Sequence, residues 1–188
     1  MQALLVSTGV VAIAEIGDKT QLLALVLAAR FRRPLPVVLG ILVATLANHA
    51  LAGLFGQFLG HLMTPEVLRW VVGPSFLLMA AWILVPDKHD DGASRPLDRY
   101  GPFIATTVAF FLVEIGDKTQ IATVALAAKY QAMTAVVIGT TLGLMLANVP
   151  AVICGNMAAG RLPMAWVRGI AAALFAVLGA ITLIGWAA

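Results

Sequence analysis

The heptapeptide Glu-Ile-Gly-Asp-Lys-Thr-Gln occurs twice, at residues 15–21 and 114–120, each time inside a long apolar run. A carboxylate at the centre of a bilayer costs at least ~2.5–3.5 kcal/mol, so ionisable groups in such a run must face protein or a water-filled cavity. The repetition extends beyond the heptapeptide. At the same offset of 99 residues, Ala28-Ala29-Arg30 matches Ala127-Ala128-Lys129, Val37-Val38-Leu39-Gly40 matches Val136-Val137-Ile138-Gly139, and Gly56 matches Gly155. Insertion into a bilayer demands no such identity, and the chain reads as a duplication.

The surrounding sequence belongs in a membrane. Of the 188 residues 61% are hydrophobic and 11% charged, and the mean hydropathy is +0.97, which leaves too little polar surface for a water-soluble domain of this size. Six apolar runs, Ala3–Ala29, Leu35–Leu62, Pro65–Val85, Phe103–Ala128, Met133–Ala159 and Pro163–Ala187, are separated by polar or Pro/Gly signals. Each is close to the ~20 residues needed to cross ~30 Å of hydrocarbon as a helix. They are too long and too evenly apolar for barrel strands, and helices satisfy their own backbone hydrogen bonds. The expected fold is therefore all-α, a polytopic membrane protein of six transmembrane helices. Residues 1–85 form one three-helix repeat, 86–100 a connecting loop, and 101–188 the second repeat. An odd number of crossings per repeat makes the two halves inverted.

Loop charges give the orientation. Arg30, Arg32, Arg33, Lys88, Arg95, Arg99, Arg161 and Arg168 fall on one side and only Arg69 and Lys129 on the other, so the first side is expected to be cytoplasmic and both termini outside. The pI near 9.4 does not point to nucleic acid, because the basic residues are spread over short connections. The N-terminal run lacks a basic leader and contains Glu15, Asp18 and Lys19, which suits a retained span better than a signal peptide. The single cysteine, Cys154, sits in an apolar stretch and is expected to serve packing.

Glu15 precedes Arg30 by 15 residues, or ~22 Å of helix, which puts it near mid-membrane. Glu114 stands at the same distance from Lys129. In a continuous helix Glu15, Asp18 and Lys19 share one face, as do Glu114, Asp117 and Lys118. One reading is a structural network in which each lysine pairs with its own acids, but this leaves a carboxylate uncompensated in each motif. Four carboxylates against two ammonium groups give a net charge of minus two, which one divalent cation would neutralise. Hard oxygen donors suit manganese, calcium or magnesium better than copper or zinc. Thr20, Gln21, Thr119 and Gln120 add neutral oxygens or pack between helices. For Gly17 and Gly116 close helix packing is expected, with a local helix break as the alternative. Gly56-x-x-x-Gly60 and Gly139-x-x-x-Gly143 are small-residue patterns that allow close helix approach. Asn148, just before Pro150, and its offset partner His49 are candidates to line an ion path or to bond between helices.

With both copies of Glu-x-Gly-Asp-Lys-[Ser/Thr] matched over essentially the whole chain, the sequence resembles a family of cation transporters. That family includes the Golgi transmembrane protein linked to glycosylation disorders, its yeast and chloroplast relatives, and bacterial manganese exporters. The resemblance implies secondary transport of manganese or calcium in exchange for protons, with Glu15, Asp18, Glu114 and Asp117 as the metal site. It implies no enzyme activity and no resident cofactor, and its setting would be a bacterial inner membrane, with lipid, metal ion and protons as partners. Glu15 and Glu114 are expected to carry the exchanged protons, since each aspartate is followed directly by a lysine. Two alternatives remain open from sequence: a passive divalent cation channel, and an intramembrane aspartyl protease using Asp18 and Asp117.

Overall fold

The computed structural model describes residues 1–85, 99–154 and 164–185. The connection at 86–98, with Asp87, Lys88, Asp90, Asp91, Arg95 and Asp98, lies outside the described residues, as do Gly155 and Arg161. Among the described residues there are eight α-helices and no strand. They are α1 (Gln2–Glu15), α2 (Lys19–Phe31), α3 (Pro34–Leu62), α4 (Pro65–Ile83), α5 (Gly101–Glu114), α6 (Lys118–Tyr130), α7 (Met133–Cys154) and α8 (Met164–Ile184).

Three helices, α3, α4 and α7, are long and apolar enough to cross a membrane unaided. The first and fourth apolar runs are not continuous helices, contrary to the sequence expectation. Each is cut inside the heptapeptide, into α1 and α2 and into α5 and α6. At ~1.5 Å per residue these pieces are roughly 20 Å long, too short to cross ~30 Å singly. A break within a membrane-spanning segment is tolerated where other helices surround it and re-satisfy the freed backbone groups.

Helix α3 packs on α5, α6 and α7, α1 packs on α7, and α4 packs on α8. The glycine patterns explain how closely the backbones approach. A Cβ on Gly56 would run into the Val124 carbonyl of α6, and one on Gly139 would lie 2.6 Å from the Leu4 carbonyl of α1. Equivalent positions make equivalent contacts: Gly40 meets Thr106 on α5 as Gly139 meets Ser7 on α1, and both pairs are related by the 99-residue offset. Phe76 of α4 and Phe175 of α8 pack with ring centroids 6.1 Å apart and their planes tilted by 43°. On the outer face of α3, Leu35, Leu39, Val43, Leu46, Leu54 and Phe58 are exposed at helical spacing, the distribution expected of a lipid-facing stripe. Pro74 and Pro150 lie inside α4 and α7 without ending them.

Candidate cation site

The helix break is written in the motif. Ile16 has φ −63° and ψ 116°, Gly17 has φ +80°, and the Asp18 amide donates to the Glu15 carbonyl at 3.1 Å. Those are the dihedrals and hydrogen bond of a type II turn, whose third residue must take a positive φ and is therefore usually glycine. Ile115 (φ −64°, ψ 119°), Gly116 (φ +76°) and the Asp117 amide, 3.1 Å from the Glu114 carbonyl, repeat it. Gly17 and Gly116 thus form breaks, where close packing was the sequence expectation. Asp18 and Asp117 then sit in extended backbone at the N-caps of α2 and α6, and each lysine is the first helical residue.

The glutamines hold the breaks. Gln21 Oε1 accepts from the Gly17 amide at 2.8 Å while its Nε2 donates to the Ala147 carbonyl of α7 at 3.0 Å. Gln120 Oε1 accepts from the Gly116 amide at 2.7 Å, and its Nε2 donates to Asn48 Oδ1 of α3 at 2.9 Å. Each break is thereby tied to a helix of the other half of the sequence. The side-chain oxygen of each glutamine is occupied by its own turn.

Interrupting the helix changes which charges meet. In a continuous helix each lysine would lie one turn from its own glutamate. Instead Lys19 Nζ is 2.8 Å from Asp117 Oδ1, and Lys118 Nζ is 3.4 Å from Asp18 Oδ1. The pairing runs between the two copies, so the structural network with each lysine on its own acids is not the arrangement found. The two bridges differ in setting: the Lys19 side chain is 28% exposed and that of Lys118 only 6%.

Glu15 and Glu114 are fully buried, and with Asp117 each brings a carboxylate oxygen into a group whose members lie within 4.8 Å of one another. Asp18 lies outside that trio, bridged to Lys118. The Thr20 hydroxyl donates to Glu15 Oε2 at 2.5 Å, and Thr119 Oγ1 lies 3.3 Å from Glu114 Oε2 and 3.4 Å from Asp117 Oδ2. Glu15 Oε1 and Glu114 Oε1 are buried without a hydrogen-bond partner. Buried carboxylate oxygens left bare are costly unless a cation or a proton occupies them. Asn148 is buried, its Nδ2 donating to the Leu144 carbonyl at 3.1 Å, and its side chain lies within reach of Glu15. His49 is buried with neither ring nitrogen hydrogen-bonded, and it is not among the clustered ligand atoms. Its neighbour Asn48 is the one wired to the site, both through Gln120 and by donating to the Phe111 carbonyl at 2.9 Å.

This all-oxygen cluster on a doubled broken helix coincides with a family match over nearly the whole chain. The model of the divalent cation/proton antiporter GDT1 family matches residues 3–91 and 102–188. The chain belongs to that family. A relative in Vibrio cholerae serotype O1, named "Putative manganese exporter", is 50% identical over 183 residues, covering 97% of this chain and 90% of the relative. A GDT1-like protein of Synechocystis is 30% identical over 186 residues, with 88% of each chain covered. A GDT1-like protein of Oryza sativa is 30% identical over 200 residues, covering 92% of this chain and 70% of its own. No solved structure matches the chain. GDT1 proteins are transporters and not enzymes, and the protease reading of Asp18 and Asp117 falls with that: each of the two is bridged to a lysine.

Proposed function

We propose that this GDT1-family protein exports Mn2+ from the cytoplasm of a bacterium in exchange for protons, using Glu15, Asp18, Glu114 and Asp117 as one shared site. The observation that carries this reading is the convergence of Glu15, Glu114 and Asp117 from both copies of the motif into one buried cluster. Two lysines against four carboxylates leave minus two, the charge that one Mn2+ or two protons would cancel. Oxygen donors alone also admit Ca2+, which belongs in any substrate panel. The name of the Vibrio cholerae relative favours manganese.

The division of labour follows from the ion pairs. Each aspartate is ion-paired with the other copy's lysine, whereas among the described residues neither Glu15 nor Glu114 has a cation within ion-pair distance. The glutamates are the groups that trade protons for metal. Thr20 and Thr119 orient them, Gln21 and Gln120 hold the turns, and Asn148 supports Glu15. The backbone crosses the inner membrane six times as two inverted three-helix repeats, 1–85 and 101–188, with α1–α2 and α5–α6 as broken spans and 86–100 in the cytoplasm. Two contacts support that topology. Gly40 near the start of α3 meets Phe103 and Thr106 near the start of α5, at the end assigned to the cytoplasm, and Pro65, Lys129 and Gly185 line one cavity at the other end.

The test is metal flux in proteoliposomes. Glu15→Gln and Glu114→Gln should each abolish it while the protein stays folded, because both copies serve one site. Near-full flux from either single variant would show that the copies act separately. Flux that responds only to the metal's own gradient and never to pH would favour a passive channel.

A further inference from the structure

A second polar site lies at the opposite end from the cytoplasmic loops. A cavity of about 450 Å3 between α4, the end of α6 and the end of α8 is lined by Arg69, Lys129, Thr182 and Glu66, with Leu68 and Val72 among its apolar residues. None of these groups belongs to the cation cluster. Lys129 Nζ donates to Thr182 Oγ1 at 2.9 Å and keeps further N–H donors, since an ammonium has three. Arg69 Nε is buried without a hydrogen-bond partner. Among the described residues neither cation has a carboxylate within ion-pair distance, although Glu66 lines the same cavity.

We propose that this cavity binds the phosphodiester of an anionic phospholipid, with Arg69 and Lys129 holding the phosphate oxygens. Three observations converge. First, the charge fits, since two cations and one carboxylate leave plus one, the complement of a single phosphodiester. Arginine and lysine are also the side chains that bind phosphate oxygens best. Second, Leu68 and Val72 give the cavity an apolar wall that a free ion does not need and an acyl chain does. The flanking Trp70 and Tyr130 are residues of the membrane interface, with the Arg69 guanidinium and the Lys129 ammonium each 5.6 Å from the ring beside it. Third, basic residues are disfavoured on the outer side of a membrane, and of the 12 Lys and Arg in the chain only Arg69 and Lys129 fall there. Both converge on this one cavity. The third observation and the assignment to the outer leaflet rest on the proposed topology, while the first two rest on the cavity and the residues flanking it.

Native mass spectrometry of the full-length protein in mild detergent, titrated with phosphatidylglycerol, reads this directly. One bound lipid is expected, with affinity falling roughly tenfold or more in the Arg69→Gln/Lys129→Gln double variant as two charge-assisted contacts are lost. The charge-conserving Arg69→Lys/Lys129→Arg variant should keep most of the binding, which separates loss of charge from loss of fold. Inorganic phosphate at the same concentration should neither bind nor displace the lipid. Undiminished lipid binding by the glutamine variant, equal loss in the charge-conserving variant, or displacement by equimolar phosphate would each overturn the proposal. Metal flux is not the readout, so failure here leaves the transport reading untouched.

Discussion

Exchange of partners between the two motif copies can be measured by a double-mutant cycle on Asp18 and Lys118. Their charged atoms are 3.4 Å apart and both side chains are 6% exposed. With an effective dielectric near 20, two unit charges at that distance attract by about 5 kcal/mol. Removing one partner should therefore destabilise the protein by roughly 3–5 kcal/mol, because the other charge stays buried without this counter-ion. Asp18→Asn and Lys118→Gln, singly and together, would be followed by chemical unfolding in detergent micelles. The expected coupling is at least ~2 kcal/mol, with the double variant more stable than additivity predicts. The Asp117–Lys19 bridge is shorter, at 2.8 Å, but its lysine is 28% exposed, and where that face meets water the screened coupling should drop to about 1 kcal/mol. Strong coupling of Lys118 to Glu114 with none to Asp18 would restore the continuous-helix arrangement and refute the crossed pairing.

Gly116→Ala should cost about 1–2 kcal/mol in the same unfolding assay through its positive φ alone, as a Cβ there meets nothing within 4 Å; Gly116→Asn should cost less. Gln120→Leu should lose ~1–3 kcal/mol, since it leaves the Gly116 amide and Asn48 Oδ1 without their partner, and a neutral result would show that water replaces it. Saturating Mn2+ should raise the melting temperature of the wild type, by the equivalent of ~2.7 kcal/mol at a hundredfold excess over Kd, and not that of Glu15→Gln; an equal rise in both would place the metal elsewhere. A reporter fused at Gly92 should be active in the cytoplasm and one fused after Ala188 outside, so cytoplasmic activity from the second would reverse the orientation.

Much of the site was legible because a duplicated motif carries its own alignment. The 99-residue offset brought Glu15, Asp18, Glu114 and Asp117 together as candidates, and three of the four do supply the clustered oxygens. The helix break was harder to see. Ile-Gly-Asp fits a type II turn, yet in a long apolar run hydropathy argues for an unbroken helix, and only the neighbouring helices decide which wins. The crossed lysines were invisible for the same reason, as their partners depend on how α2 and α6 face one another. Asn48 was within reach of sequence. It is the strict offset partner of Ala147, so the two motif glutamines bond to equivalent positions on α3 and α7. One of those acceptors is a backbone carbonyl, which leaves no signature in residue type.

In the proposed exchange one divalent ion and two protons take turns in a single site, and the decisive measurement counts them together. Purified protein in liposomes with the membrane potential clamped, loaded with an internal pH dye, would be given a manganese gradient. Two protons should move against each Mn2+, with no net current and with loss of both fluxes at once in Glu114→Gln. Manganese movement without protons, or a current carrying the sign of an uncompensated divalent ion, would contradict it.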